Sequence, residues 1–294
     1  MAKRKLDVLC CFIFTASSLC TGLARAGNLE PTIQLNVPYG PDPQESLDVC
    51  APPDAAVAHP AVLMIHGGNW IGNDKQMMMP LCKALASKGL VAVPIDYRLL
   101  DPHTLRNQWP AQLVDEQLAV RWVKANARQL RVDSGKICAY GTSAGGHLAL
   151  FLGLLSNNWK GDRDTLFADQ SPTVACVVDV SGPTDLTSSS EKVSPWAKVL
   201  VKSNSGDDIE TALRAASPIT YVTPAAAPTL IVQGSSDEFV PKSQGILLQE
   251  AFKKSAAPVQ YVEYQGGHVY GGLTPQDRDA LLEKEIAFIR SVVH

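Results

Sequence analysis

Five short apolar runs punctuate the chain with almost no polar alternation: residues 61–65 (AVLMI), 91–95 (VAVPI), 137–140 (ICAY), 174–180 (VACVVDV) and 229–233 (TLIVQ). A strand with one wet face alternates polar and apolar side chains, whereas a strand buried on both faces does not. Each run is therefore expected inside a sheet covered on both sides. Helix-length segments separate the runs. From Ala111 the side chains Val114, Leu118 and Trp122 recur at spacing four, and Leu282, Ile286, Ile289 and Val293 mark an amphipathic C-terminal helix. A parallel crossover needs a connection of that length, so steady alternation of strand and helix implies a mostly parallel sheet with helices on both faces. Residues 259–264 alternate and belong nearer an edge. Residues 33–37 and 47–50, joined by the turn-rich PYGPDPQES, read as a pair of early strands. One α/β domain over 27–294 is expected. The stretch 181–224, with SSSEKVSPW and KSNSGDD, is too long for a plain link. In such a sheet it lies on the edge where ligands bind, either as a small lid or as a surface loop.

The N-terminus reads as a separate signal. Lys3, Arg4 and Lys5 precede the apolar run VLCCFIFTASSL at 8–19, and Ala24-Arg25-Ala26 follows. That order matches a secretory signal with a cleavage site after Ala26, and twelve residues fall short of the roughly 20 needed to span a bilayer. An uncleaved anchor and a lipid-bearing Cys20 are the rivals, and Leu19 argues against the second. The expectation is a signal over 1–26 and a mature chain secreted or held in a periplasm. Seven cysteines are present, and Cys50, Cys82, Cys138 and Cys176 lie outside the signal. Export exposes such residues to oxidation, yet Cys138 and Cys176 sit in apolar runs where free thiols pack as small hydrophobes. Both states fit the sequence. No C-x-x-C pair occurs, so no cysteine zinc site, and no metal or cofactor, is expected. With 26 basic against 29 acidic side chains, the chain lacks the basic surface that nucleic acid or an anionic membrane requires. Nothing in the sequence fixes an oligomeric state.

Gly141-Thr142-Ser143-Ala144-Gly145 stands directly after the strand ICAY and before the helix-compatible HLALFLGLL. A G-x-S-x-G motif at that boundary is the context of a nucleophile elbow, where a serine sits on a tight strand-to-helix turn. His66-Gly67-Gly68-Asn69-Trp70 follows the strand AVLMI. Amides at Gly67 and Gly68, with that of Ala144, are candidates for an oxyanion hole. His66 is expected to hold this loop by hydrogen bonding. A serine needs a base, and His268 lies in a Gly-rich loop between VQYVEY and the last helix. Asp237, in GSSDEFVP after TLIV, is the expected acid, giving the chain order Ser, Asp, His. Glu238 is its close rival, and Asp185 reads as a turn or capping residue. Asn69, Trp70 and Tyr270 fall near these motifs and are candidate substrate contacts, as is Trp196.

HGGNW, DYRL (from Asp96), PAQLVDEQLAVRW, GTSAGGHLA, SGPTDL, GSSDEFVP and GGH occur in an order that resembles the α/β-hydrolases grouped with feruloyl and acetyl-xylan esterases (BD-FAE-like). They are also similar to the hormone-sensitive-lipase-like carboxylesterases. The resemblance implies an α/β-hydrolase fold with an eight-stranded, mostly parallel sheet and at most a small lid. It implies a metal-free acyl-enzyme mechanism with Ser143, Asp237 and His268 as triad and Gly67, Gly68 and Ala144 as oxyanion donors. Asn69 replaces the third glycine common in the lipase-like branch, and the long N-terminal cap of that branch is missing. The expected activity is hydrolysis of short acyl or aromatic esters, small-molecule or carbohydrate, including acetyl or feruloyl groups on plant polysaccharide. Two alternatives stay open. One is an amidase, such as an aryl-formamide hydrolase. The other is an inactive binding protein on the same scaffold, against which all the motif residues stand in place.

Overall fold

Eight strands form one sheet in a computed structural model of the chain, which describes residues 30–54, 57–155, 163, 165–187, 195–201 and 208–293. They are β1 (Thr32–Pro38), β2 (Ser46–Ala51), β3 (His59–Ile65), β4 (Val91–Ile95), β5 (Val132–Thr142), β6 (Cys176–Val180), β7 (Thr229–Gly234) and β8 (Val259–Tyr264). Their spatial order is β1-β2-β4-β3-β5-β6-β7-β8. β1, β2 and β4 pair antiparallel, and every pair from β4 to β8 is parallel. The chain thus has the α/β-hydrolase fold. The expected signal at 1–26 lies outside the described residues.

The central strands carry no polar alternation because both their faces are covered. In β3, Ala61, Leu63 and Ile65 point into one core and Val62 and Met64 into the other, as the two-residue period of a strand dictates. One face is packed by α1 (Met79–Ser87) and α8 (Pro275–Val293), which contribute Leu85 and Ala86, and Ile286, Ile289 and Val293. The other is packed by α2 (Ala111–Ala125), α4 (Ala144–Leu154) and α7 (Lys242–Lys254), with Leu118, Leu148 and Leu248. The short α3 (Ala127–Leu130) leads into β5.

α2 departs from the one-faced helix that its spacing predicts. It buries Gln112, Asp115, Glu116, Gln117 and Arg121 as well as Val114 and Leu118. Its outer side is covered by distant chain: Arg121 Nη2 donates to the Arg163 carbonyl at 2.9 Å, and Arg163 Nε donates to Glu45 at 2.6 Å. Asp115 takes the guanidinium of Arg98, from the DYRL segment, through Nε at 2.8 Å and Nη2 at 2.6 Å.

Cys50, Cys82, Cys138 and Cys176 are all paired. Cys50 bonds Cys82, tying β2 to α1, and Cys138 bonds Cys176 across the register of β5 and β6. The stretch 181–224 carries α5 (Trp196–Val201) and α6 (Ile209–Ala215), while 188–194 and 202–207 lie outside the described residues. Its described part is docked on the body. Trp109 donates its backbone N–H to the Leu200 carbonyl at 3.0 Å, and His147 Nε2 meets the Ala216 carbonyl at 2.8 Å.

Candidate active site

Ser143 is the only residue between the end of β5 at Thr142 and the start of α4 at Ala144. Its φ of 56° and ψ of −122° place it in backbone that a side chain rarely adopts, at a cost of roughly 1–3 kcal/mol. The turn is over-determined by its neighbours. Ser143 donates its N–H to Val180 at 2.8 Å and accepts from the His147 amide at 3.1 Å. A side chain at Gly141 would start 2.0 Å from the Gly145 carbonyl oxygen, and one at Gly145 would start 2.1 Å from that of Ile65. β3, β5 and α4 therefore meet at a spacing only glycine allows, which explains both flanking glycines of the motif.

Two loops on the same sheet edge reach this serine. Asp237 follows β7 and His268 follows β8. His268 Nε2 lies 2.9 Å from Ser143 Oγ, and His268 Nδ1 lies 2.8 Å from Asp237 Oδ2. A carboxylate only accepts, so Nδ1 carries the proton and Nε2 presents its lone pair to the serine hydroxyl. Burial works against the Asp237 charge. The His268 contact, the Val240 amide at 2.9 Å and the Phe239 amide at 3.0 Å outweigh it and hold the carboxyl below its ordinary value. The rival Glu238 is exposed at the cavity rim. Asp185 accepts from the Thr187 amide and hydroxyl at 2.9 and 2.7 Å, a local turn.

The Gly67–Gly68 loop lies against the elbow. A side chain at Gly67 would start 2.9 Å from Ser143 Cβ, and Gly68 holds φ at +129°. The Gly67 carbonyl accepts from His66 Nδ1 at 2.8 Å and from Asn73 Nδ2 at 3.3 Å. In a trans peptide the next N–H points opposite to the carbonyl, so this pair also fixes the direction of the Gly68 amide. His66 stacks on Tyr97 at 4.5 Å, and Tyr97 in turn donates to the His66 carbonyl at 3.0 Å. Ala144 begins α4, where the first amides have no acceptor within the helix.

These groups open into a cavity of about 550 Å³. Gly67, Gly68, Asn69, Trp70, Ser143, Ala144 and His268 all line it. Trp70 is only 1 % exposed and meets His147 edge-on at 5.1 Å, so it is chiefly a packing residue. Trp196 and Pro195 also line it. Tyr270 corrects the expectation from sequence. It does not line this cavity, because its hydroxyl is drawn behind the His268 loop to Tyr140 and Glu285. Sequence reasoning also missed Phe239, Met77 and Asn73. Phe239 is 72 % exposed with its ring 5.3 Å from that of His268, and Met77 is 60 % exposed on the same rim. The only sequence signal for Phe239 was its place two residues after Asp237. Among the described residues, no three His, Cys, Asp or Glu side chains gather as a metal site would need, and no helix is long and apolar enough to cross a membrane.

The chain is similar to known esterases. The esterase LipQ of Mycobacterium tuberculosis is 29% identical over 267 residues, 88% of this chain and 62% of LipQ. The esterase LipC of the same organism is 30% identical over 78% of this chain and 58% of LipC. The chain thus spans about 60% of the length of these curated relatives. A truncated carbohydrate esterase from gut microbiota superposes with a TM-score of 0.77 at 25% identity, covering 90% of this chain and 99% of that one. The BD-FAE family model matches residues 47–252, the greater part of the sequence, and the chain belongs to the BD-FAE family of α/β-hydrolases.

Proposed function

We propose that this protein is a serine carboxylic ester hydrolase acting on short acyl or aromatic esters through an acyl-enzyme. The observation that carries the reading is the unbroken relay of 2.9 and 2.8 Å from Ser143 through His268 to Asp237 at the wall of an open cavity. In this reaction His268 Nε2 takes the hydroxyl proton as Ser143 Oγ attacks the ester carbonyl. Asp237 stabilises the imidazolium and keeps it in the productive tautomer. The amides of Gly67 or Gly68 and of Ala144 receive the oxyanion, which exists only in the tetrahedral state and so favours that state over the bound ester. The protonated His268 then hands its proton to the departing alcohol, and water repeats the cycle on the acyl-enzyme.

The rim suggests the substrate class. Phe239, Met77, Trp196 and Val269 present apolar surface around His268, with Glu238 and Asn73 as polar neighbours. Such a wall suits an acyl chain or aryl ring on an alcohol that stays half in water. The carbohydrate-esterase neighbour and the family match support acetyl or feruloyl groups on polysaccharide as the natural ester. The basic, apolar and small-residue order of residues 1–26, with two disulfides in the fold, supports export to an oxidising compartment.

A panel of p-nitrophenyl acetate, butyrate and octanoate, methyl ferulate, acetylated xylan and an aryl formamide tests the reading. The expected result is turnover of the short and aromatic esters that exceeds formamide turnover. Faster formamide cleavage would favour an amidase, and no turnover of any member would favour a binding protein.

A further inference from the structure

The loop that carries His268 is held in a conformation it would not choose alone. Val269 and Tyr270 follow the histidine with φ of 45° and 64°. That left-handed region is uncommon for any side chain and a genuine outlier for a β-branched one. Short-range bonds close the turn: Gly267 N–H to Gly271 at 2.8 Å and Gly271 N–H to His268 at 3.0 Å. Tyr264 adds a clasp, donating its hydroxyl to the Gly267 carbonyl at 2.7 Å and accepting the Tyr270 amide at 2.8 Å. None of these bonds ties the loop to the strand that delivers Ser143.

That link is made behind the cavity. Tyr270 Oη bonds Glu285 Oε1 at 2.8 Å, Tyr140 Oη and Glu285 Oε2 are 3.2 Å apart, and the two phenols also hydrogen-bond each other. Tyr140 stands on β5 three residues before Ser143, and Glu285 stands on α8; both are 1 % exposed. Three contacts need three protons, and two phenols supply two. A protonated Glu285 supplies the third and closes the ring: carboxyl to Tyr140, Tyr140 to Tyr270, Tyr270 back to the carboxyl. Burial agrees with this count, pushing the Glu285 carboxyl up to about 7.

We infer that Tyr270 and Glu285, with Tyr140, are positioning residues that register the His268 loop against the strand bearing Ser143. None of the three borders the wall around Ser143 except through the strand and loop it anchors. Their effect on the reaction would pass through the place of the imidazole, and that part rests on the hydrolase reading above. The positioning itself does not, because the imidazole can be observed directly.

Three variants test it: Tyr270→Phe, which keeps the ring and loses one hydroxyl, Glu285→Leu, and Glu285→Gln. The glutamine amide reproduces the neutral acid, with one donor and one acceptor. Two readouts are taken at 25 °C on folded protein. One is kcat and KM on p-nitrophenyl acetate. The other is the downfield proton NMR signal of His268 Nδ1–H, which depends on its bond to Asp237 and needs no turnover. Tyr270→Phe and Glu285→Leu should lose on the order of 10- to 100-fold in kcat with KM within about twofold, and the signal should broaden or vanish. Glu285→Gln should stay within about threefold of the parent. A parent-like signal and kcat in Tyr270→Phe would overturn the inference, even if Glu285→Leu failed to fold. So would a loss expressed wholly in KM. A parent protein inert on every ester would defeat the hydrolase reading alone, and the NMR comparison would still decide the positioning.

Discussion

At the site, each side chain matters through a few specific contacts, and the consequences of removing them differ in kind. Asp237 accepts the Nδ1 proton of His268 and two backbone amides. Asp237→Asn keeps the size but can donate a proton of its own, which favours the wrong imidazole tautomer. Its kcat is expected to fall on the order of 10,000-fold with the fold intact, as steady-state kinetics and circular dichroism would show. His66 acts one step further out, since its Nδ1 proton holds the Gly67 carbonyl. His66→Phe retains the stack on Tyr97 and loses that bond, so a loss of about 10- to 100-fold in kcat at nearly constant KM is expected. A proportional rise in KM would mean that the loop binds substrate rather than the oxyanion. Ser143, His268 and Asp237 were legible in sequence because each follows a strand on one edge of a parallel sheet, and chain order then assigns the roles. Tyr270 was not. Position after a histidine does not reveal on which side of a loop a side chain leaves, and the left-handed turn at Val269 and Tyr270 sends this ring behind the loop.

Strands and helices show a similar division. The uninterrupted apolar runs gave away the central strands because burial on two faces removes alternation. The polar burial on α2 was hidden, since its cover comes from Glu45 and Arg163, far away in sequence. Disulfides depend on register: Cys138 can bond Cys176 only because β5 and β6 set them opposite each other. The bonds close loops with separations of 32 and 38 residues, for which chain entropy alone predicts about 4 kcal/mol of stabilisation each. Replacing Cys138 and Cys176 together by alanine should lower the urea unfolding free energy by about that amount. A change below about 1 kcal/mol would show that the bond contributes little beyond packing. At the elbow, Gly145→Ala would drive a methyl into the Ile65 carbonyl. The expected result is insoluble or inactive protein.

Over the whole molecule the buried acids set a pH dependence of stability. Burial pushes the carboxyls of Asp179 and Glu285 up to about 7, whereas in an unfolded chain they ionise near about 4. Between those values the folded state holds more protons than the unfolded state, so stability falls as pH rises through that window and levels off above it. Asp237 acts in the opposite sense, because its lowered carboxyl contributes above the unfolded value and loses that contribution only in stronger acid. The melting temperature should therefore decline from about pH 5 to about pH 7. Burial raises the Asp115 and Glu116 carboxyls in the same sense, so the double variant Asp179→Asn, Glu285→Gln should make that decline shallower without removing it, and an unchanged slope would contradict the assignment. The parallel sheet, its two helical layers and its loop-bearing edge all serve to bring three side chains from distant parts of the chain together. The most direct test of that convergence is to treat the folded protein with a fluorophosphonate and map the adduct by mass spectrometry. One equivalent on Ser143, abolished by His268→Ala, is the predicted result; a folded protein left unlabelled, or labelled at another residue, would contradict the account.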